Sequence, residues 1–104
     1  MKVSMDRFQA AVEAAIDSIP EAFQPYLENT QFVIEPRSDE GLLGLYEGAT
    51  ALEAGDWLPE RVTIYKAAHE AEADTWEELV EEVRRTILHE VGHHFGMEED
   101  DLPY

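Results

Sequence analysis

The run His89-Glu90-Val91-Gly92-His93 sets two imidazoles and a carboxylate close together in the chain. On a helix, residues four apart lie one turn apart on the same face, with about 5–6 Å between Cβ atoms. At that spacing two imidazole nitrogens converge on one cation, at the roughly 2.0–2.1 Å that zinc requires. His89 and His93 then sit about 40° apart around the helix axis, well away from the stripe Val80, Val83 and Ile87. The helix can bury that stripe and still present both imidazoles to a cleft. Glu90 falls on the flank of the pair, placed to touch a water on the metal rather than the metal, which is where a general base belongs. The chain continues His93-His94-Phe95-Gly96 and then Glu98, Glu99, Asp100 and Asp101. A glycine three residues after His93 lets the chain turn back, and the acidic residues offer a further ligand. The expectation is one Zn²⁺ per chain, with another divalent ion that accepts imidazole and carboxylate as the alternative.

The elements that must hold these residues are legible in outline. Phe8, Val12, Ala15, Ile16 and Ile19 fall at helical spacing between Ser4 and Ile19, with Ser4 as N-cap and Pro20 at the exit. Phe23, Tyr26 and Leu27 suit a short capping turn over the same core. Gln31–Glu35 is a β-branched and aromatic run stopped by Pro36. Arg37–Gly41 reads as a turn. Leu42–Gly48 reads as a second strand whose Gly44 marks a bulge or a close backbone approach. Ala49 to Glu60 reads as a loop with Trp57 and Pro59, Arg61–Lys66 as a third strand, and His69–Asp74 as an acidic connection. Thr75 and Glu78 fit a capping box. They open a helix whose Trp76, Leu79, Val80, Val83, Ile87, Val91 and Phe95 share one side. Leu88 widens its apolar arc, and Gly96 can end it in a left-handed conformation. The order predicts an α+β domain: a small twisted sheet of about three strands, packed with an N-terminal helix and a C-terminal helix that carries the site.

Other residues have ordinary readings beside functional ones. His94 points about 100° away from His93 and suits packing, with support of a ligand or contact with substrate as the alternative. His69, alone in the acidic connection, is expected at the surface. Gly92 costs a helix about 1 kcal/mol against Ala, and a small residue there permits close approach of a strand or substrate. Tyr46 and Tyr65 on the strands suit core packing, and either could offer a hydroxyl to a developing oxyanion. Trp76 is expected in the core. Glu77, Glu78, Glu81 and Glu82 suit an exposed helix face on which Arg84 and Arg85 provide partners.

Composition bounds the rest. The 104 residues carry 7 Lys+Arg against 24 Asp+Glu, a net charge of −17. Phosphate binding relies on Lys and Arg, so nucleic acids and anionic membranes are excluded as partners. There is no cysteine, which excludes disulfides, thiolate metal sites and a cysteine nucleophile. The first residues contain no long apolar stretch, so neither a signal peptide nor a membrane span is expected. A soluble, cytoplasmic, single-domain protein over residues 1–104 follows as the expectation.

The stretch His89-Glu90-Val91-Gly92-His93-His94-Phe95-Gly96 resembles the zincin metallopeptidases, and its glycine is placed as in the metzincin extended motif. The whole chain is similar to a minimal bacterial zincin-like family of about this length. The likeness includes strands like Leu43–Gly48 and Leu58–Tyr65 and an acidic tail after His93-His94-Phe95-Gly96. The resemblance implies a reduced zincin-like core, without the second subdomain that walls the cleft in larger zincins. It also places the third zinc ligand six residues after His93. Glu99 stands there instead of a histidine; Asp101 and Asp100 are close enough to compete, and no Met-turn follows.

Two functions follow as expectations. In the first, His89, His93 and Glu99 hold zinc, and Glu90 is the catalytic base for hydrolysis of short or unfolded peptides, basic or neutral ones being favoured by the protein's charge. In the second, the metal stabilises a binding module of zincin fold without turnover. A weaker third is an acidic interaction protein without metal.

Overall fold

The computed structural model describes residues 1–28, 30–48 and 60–94. The first helix, α1, spans Met5–Ser18, and Ser4 caps it by accepting from the Arg7 N–H. Phe8, Ala11, Val12 and Ala15 make its buried face. A 3₁₀ helix at Glu21–Tyr26 follows, with Leu27 buried and Phe23 packed against the same core. Tyr26 is left exposed.

Three strands form one mixed sheet in the order β1-β3-β2. They are β1, Thr30–Glu35; β2, Gly44–Glu47; and β3, Glu60–Tyr65. In the centre, β3 runs parallel to β1 with Phe32 opposite Val62. It runs antiparallel to β2, with Gly44 opposite Ile64 and Tyr46 opposite Val62. The central strand is accordingly the buried one, at Val62, Thr63 and Ile64. The turn before β2 has Gly41 at φ +73°, the left-handed region that glycine enters without steric cost.

The acidic connection expected from His69 to Asp74 is instead mostly helix. A second helix, α2, spans Lys66–Glu72. Its sequence, Lys-Ala-Ala-His-Glu-Ala-Glu, is rich in strong helix formers. Lys66 and Glu70 pair across one turn at 3.1 Å with both side chains mostly buried. The Pro36 carbonyl accepts the Ala67 N–H at its start. The Met1 amino group donates to the carbonyls of Glu70 and Ala73 at its end, where a positive charge is favourable.

The long helix, α3, spans Trp76–His94. Its N-terminus is capped by the expected pair: Thr75 Oγ1 accepts from the Glu78 N–H and donates to the Glu78 carboxylate, which also accepts the Asp74 N–H one residue before the expected partner. Trp76 packs against the core with the Arg7 guanidinium 4.4 Å above its ring. Glu81 pairs with both Arg84 and Arg85 on the polar face. Leu79, Val83, Ile87, Leu88 and Val91 are buried against α1 and the sheet. The chain therefore forms a reduced α+β layer, helices α1 and α3 against a three-stranded sheet. Among the described residues no helix is long and apolar enough to cross a membrane. Of the loop expected from Ala49 to Glu60, Glu60 instead opens β3; residues 49–59 and the expected helix stop at Gly96 lie outside the described residues.

Candidate metal centre

The last two turns of α3 bring His89 and His93 side by side. Their ring centroids are 4.4 Å apart and the rings stand at 63°. His93 is exposed and His89 half-buried, so both imidazoles belong to one accessible patch. Two imidazole nitrogen donors at this spacing suit a zinc-type cation. Among the described residues no third His, Cys, Asp or Glu joins them. Glu99, Asp100 and Asp101 lie outside the described residues, as do Phe95, Gly96 and the side chain of His94.

Glu90 is held at the sheet's edge. The Tyr65 N–H donates to the Leu43 carbonyl, which makes Leu43 and Tyr65 a hydrogen-bonded pair. In an antiparallel ladder such pairs alternate with non-bonded ones. The next pairs, Gly44–Ile64 and Tyr46–Val62, therefore direct the N–H and C=O of Gly44 and Tyr46 away from β3. The Tyr46 N–H meets the Glu90 carboxylate there. Burial pushes the Glu90 carboxyl above the ordinary carboxylate range, and the neighbouring His89 and His93 charges and the Tyr46 N–H offset part of that rise.

The close approach expected at Gly44 is what places β2 beside this turn. A Cβ on Gly44 would lie 2.6 Å from Thr86 Cγ2 and 3.5 Å from Glu90 Cγ. Gly92, on the same helix, is buried.

The tyrosines divide. Tyr46 packs against the core, and its hydroxyl, desolvated by burial and set against Glu60, resists ionisation more than an ordinary phenol. Tyr65 contributes backbone: its carbonyl faces the ring of His69 at 2.7 Å.

His69 corrects the sequence expectation outright. It is fully buried, not at the surface. Nε2 lies 2.8 Å from the hydroxyl of Thr86, and the ring packs 5.7 Å from Phe8. Burial lowers its basicity, against the opposing effects of the Tyr65 carbonyl and Glu72. The acidic neighbours in sequence suggested solvent, but α2 turns this one position inward. The signal for this contact in the sequence is Thr86, which interrupts the apolar side of α3 between Val83 and Ile87, where a buried hydroxyl needs a partner.

The family model for zincin-like metallopeptidases matches residues 14–104. The chain belongs to that family. The family is described as zincin-like metallopeptidases, and zinc is the metal it implies in general. No curated protein matches the chain. Among solved structures, a conserved hypothetical protein from T. thermophilus is similar at 26% identity and a TM-score of 0.60, over 89% of this chain and 94% of that one. That likeness is one of fold, shared over nearly the full length of both chains.

Proposed function

We propose that the protein is a zinc-dependent peptidase in which His89, His93 and Glu99 hold the metal and Glu90 is the general base. What carries this is the pairing of His89 and His93 at 4.4 Å with the Glu90 carboxylate at the outer edge of β2. Zinc, when bound, supplies a Lewis acid that polarises the scissile carbonyl and makes water acidic near pH ~7. The chain's own groups do the rest. Glu90 takes a proton from the attacking water on its carboxylate and returns it to the departing amine nitrogen. A carboxyl raised by burial is closer to the working pH than an ordinary one, which suits both transfers. The outward-facing backbone of Gly44 and Tyr46 is available to an extended peptide, which would add as a further strand. The net charge of −17 favours basic or neutral peptides by long-range attraction.

The test is paired. Zinc content and cleavage of a mixed peptide library are measured for the native protein and Glu90→Gln. About one zinc in both, with cleavage only by the native protein, supports the proposal. Zinc in both and cleavage by neither favours a metal-stabilised binding module. Absence of zinc in both under zinc-replete conditions removes the metal centre.

A further inference from the structure

The buried side chains His69 and Thr86 form a junction between α2 and α3 that the peptide chemistry itself does not use. We infer that His69 is a positioning residue, which fixes Thr86 and through it the turn of α3 that carries Glu90 against β2. This rests on the peptidase reading above. His69 and Thr86 are both buried, at 0% and 7% exposure. The Tyr65 carbonyl, 2.7 Å from Nδ1, can only accept, so Nδ1 carries the ring's hydrogen. Burial disfavours the charged imidazole, and in the neutral ring with its hydrogen on Nδ1 the Nε2 is an acceptor.

Thr86 has one proton and two acceptors in reach, His69 Nε2 at 2.8 Å and the Glu82 carbonyl at 3.0 Å. A helical threonine left to itself bonds back to the carbonyl one turn earlier and bends the helix. His69 competes for that proton from α2. In the rotamer that places Oγ1 within reach of both acceptors, the methyl of Thr86 fills the space over Gly44. Four residues on, Glu90 lies against the same glycine and receives the Tyr46 N–H. The sequence of contacts thus runs from His69 to Thr86, to Gly44, to Glu90.

Amide variants separate the two ring nitrogens. In His69→Gln the side-chain amide reaches the place of Nε2 and keeps a partner for Thr86. In His69→Asn it reaches only the place of Nδ1 and loses Thr86. Thr86→Val keeps the shape and removes the hydroxyl. Two readouts are made on the full chain: kcat and KM for peptide cleavage with zinc bound, and hydrogen exchange of the Tyr46 N–H against that of Val83. The expected result is a kcat lower by roughly 10- to 100-fold in His69→Asn and Thr86→Val, as for a misplaced catalytic group, with little change in KM. Tyr46 protection falls in both while Val83 protection holds, and His69→Gln keeps most of kcat and of the protection. If His69→Asn does not fold, Thr86→Val carries the comparison. Tyr46 protection that is unchanged, or that falls only in step with Val83, overturns the inference, as does loss in His69→Gln equal to that in His69→Asn. If the native protein cleaves nothing yet Tyr46 protection follows the expected pattern, the positioning stands and the peptidase reading falls.

Discussion

Gly44 and Thr86 share a space that holds only one side chain. A Cβ on Gly44 would stand 2.6 Å from the Thr86 methyl and 3.3 Å from the Thr63 carbonyl. Neither neighbour is the loose end of a long side chain, so Gly44→Ala must push β2 away from α3. Overpacking of this kind costs about 1–3 kcal/mol. The expected outcome is a lower Tm together with a loss of activity larger than the stability loss alone accounts for, because Glu90 meets the same strand. Thr86→Ser removes the methyl and keeps the hydroxyl. The double variant Gly44→Ala with Thr86→Ser should regain most of the stability in thermal unfolding, and additive losses would count against the contact.

His69 gives the fold a pH dependence of predictable sign. Its folded pKa is depressed by burial, whereas the unfolded chain takes the ordinary value of about 6.5. Above pH ~6.5 both states are neutral at this residue and stability is full. As pH falls below that, the unfolded state binds the proton first, and stability is lost until the folded pKa is reached, with a limiting slope of about 1.4 kcal/mol per pH unit. His69→Leu should flatten this window in denaturant titrations from neutral to mildly acidic pH. A second loss is expected at lower pH from Glu70 and Glu81. Burial raises Glu70, but the Val3 N–H and Lys66 outweigh it; Glu81 is lowered by Arg84 and Arg85. Their contributions are present above the ordinary carboxylate pKa and vanish as pH falls through the depressed values. The His69→Leu variant should retain this second loss unchanged.

What could be read from the sequence was local. The cap at Thr75 and Glu78, the stripe from Leu79 to Val91 and the one-turn spacing of His89 and His93 depend on residues three or four apart, which a helix brings together whatever surrounds it. The close approach at Gly44 was also legible, because an unneeded glycine in a strand marks contact. The partner of that contact was not, since Thr86 lies far along the chain. The strand order β1-β3-β2, with β3 parallel to β1, likewise depends on pairings between distant segments. His69 departs from its expected surface position because charge in the sequence neighbourhood says nothing about which face of a short helix docks, and α2 docks its histidine onto α3.

The third metal ligand is the expectation with the sharpest competitors. Glu99 occupies the position that the metzincin motif gives to its last histidine, and Asp100 and Asp101 follow it directly. Glu99→Gln should weaken zinc binding by at least about tenfold, a loss outer-shell partners alone can cause. Asp100→Asn and Asp101→Asn should stay close to native affinity. Zinc titration by calorimetry checks this, with the zinc-dependent rise in Tm as a second readout, since a ligand that binds only the folded state stabilises it. A loss confined to Asp101→Asn would move the third ligand to that residue and leave His89 and His93 in place.

The protein's charge should be visible in kinetics rather than in the site. With −17 over 104 residues, the field attracts cationic peptides and repels anionic ones at distances set by salt. Raising ionic strength from about 0.01 to about 1 M shortens the Debye length from roughly 30 to 3 Å. For two peptides with the same scissile bond, one flanked by lysines and one by glutamates, kcat/KM should favour the first at low salt. The two values should converge as salt rises, the lysine peptide falling and the glutamate peptide rising. The kcat values should move little, because Glu90 and the paired histidines act at contact distance, where mobile ions screen least. A preference for lysine that persists undiminished at high salt would mean that a carboxylate touches the substrate directly. Glu47 and Glu60, on the strands nearest the Tyr46 edge, would then be the first positions to neutralise.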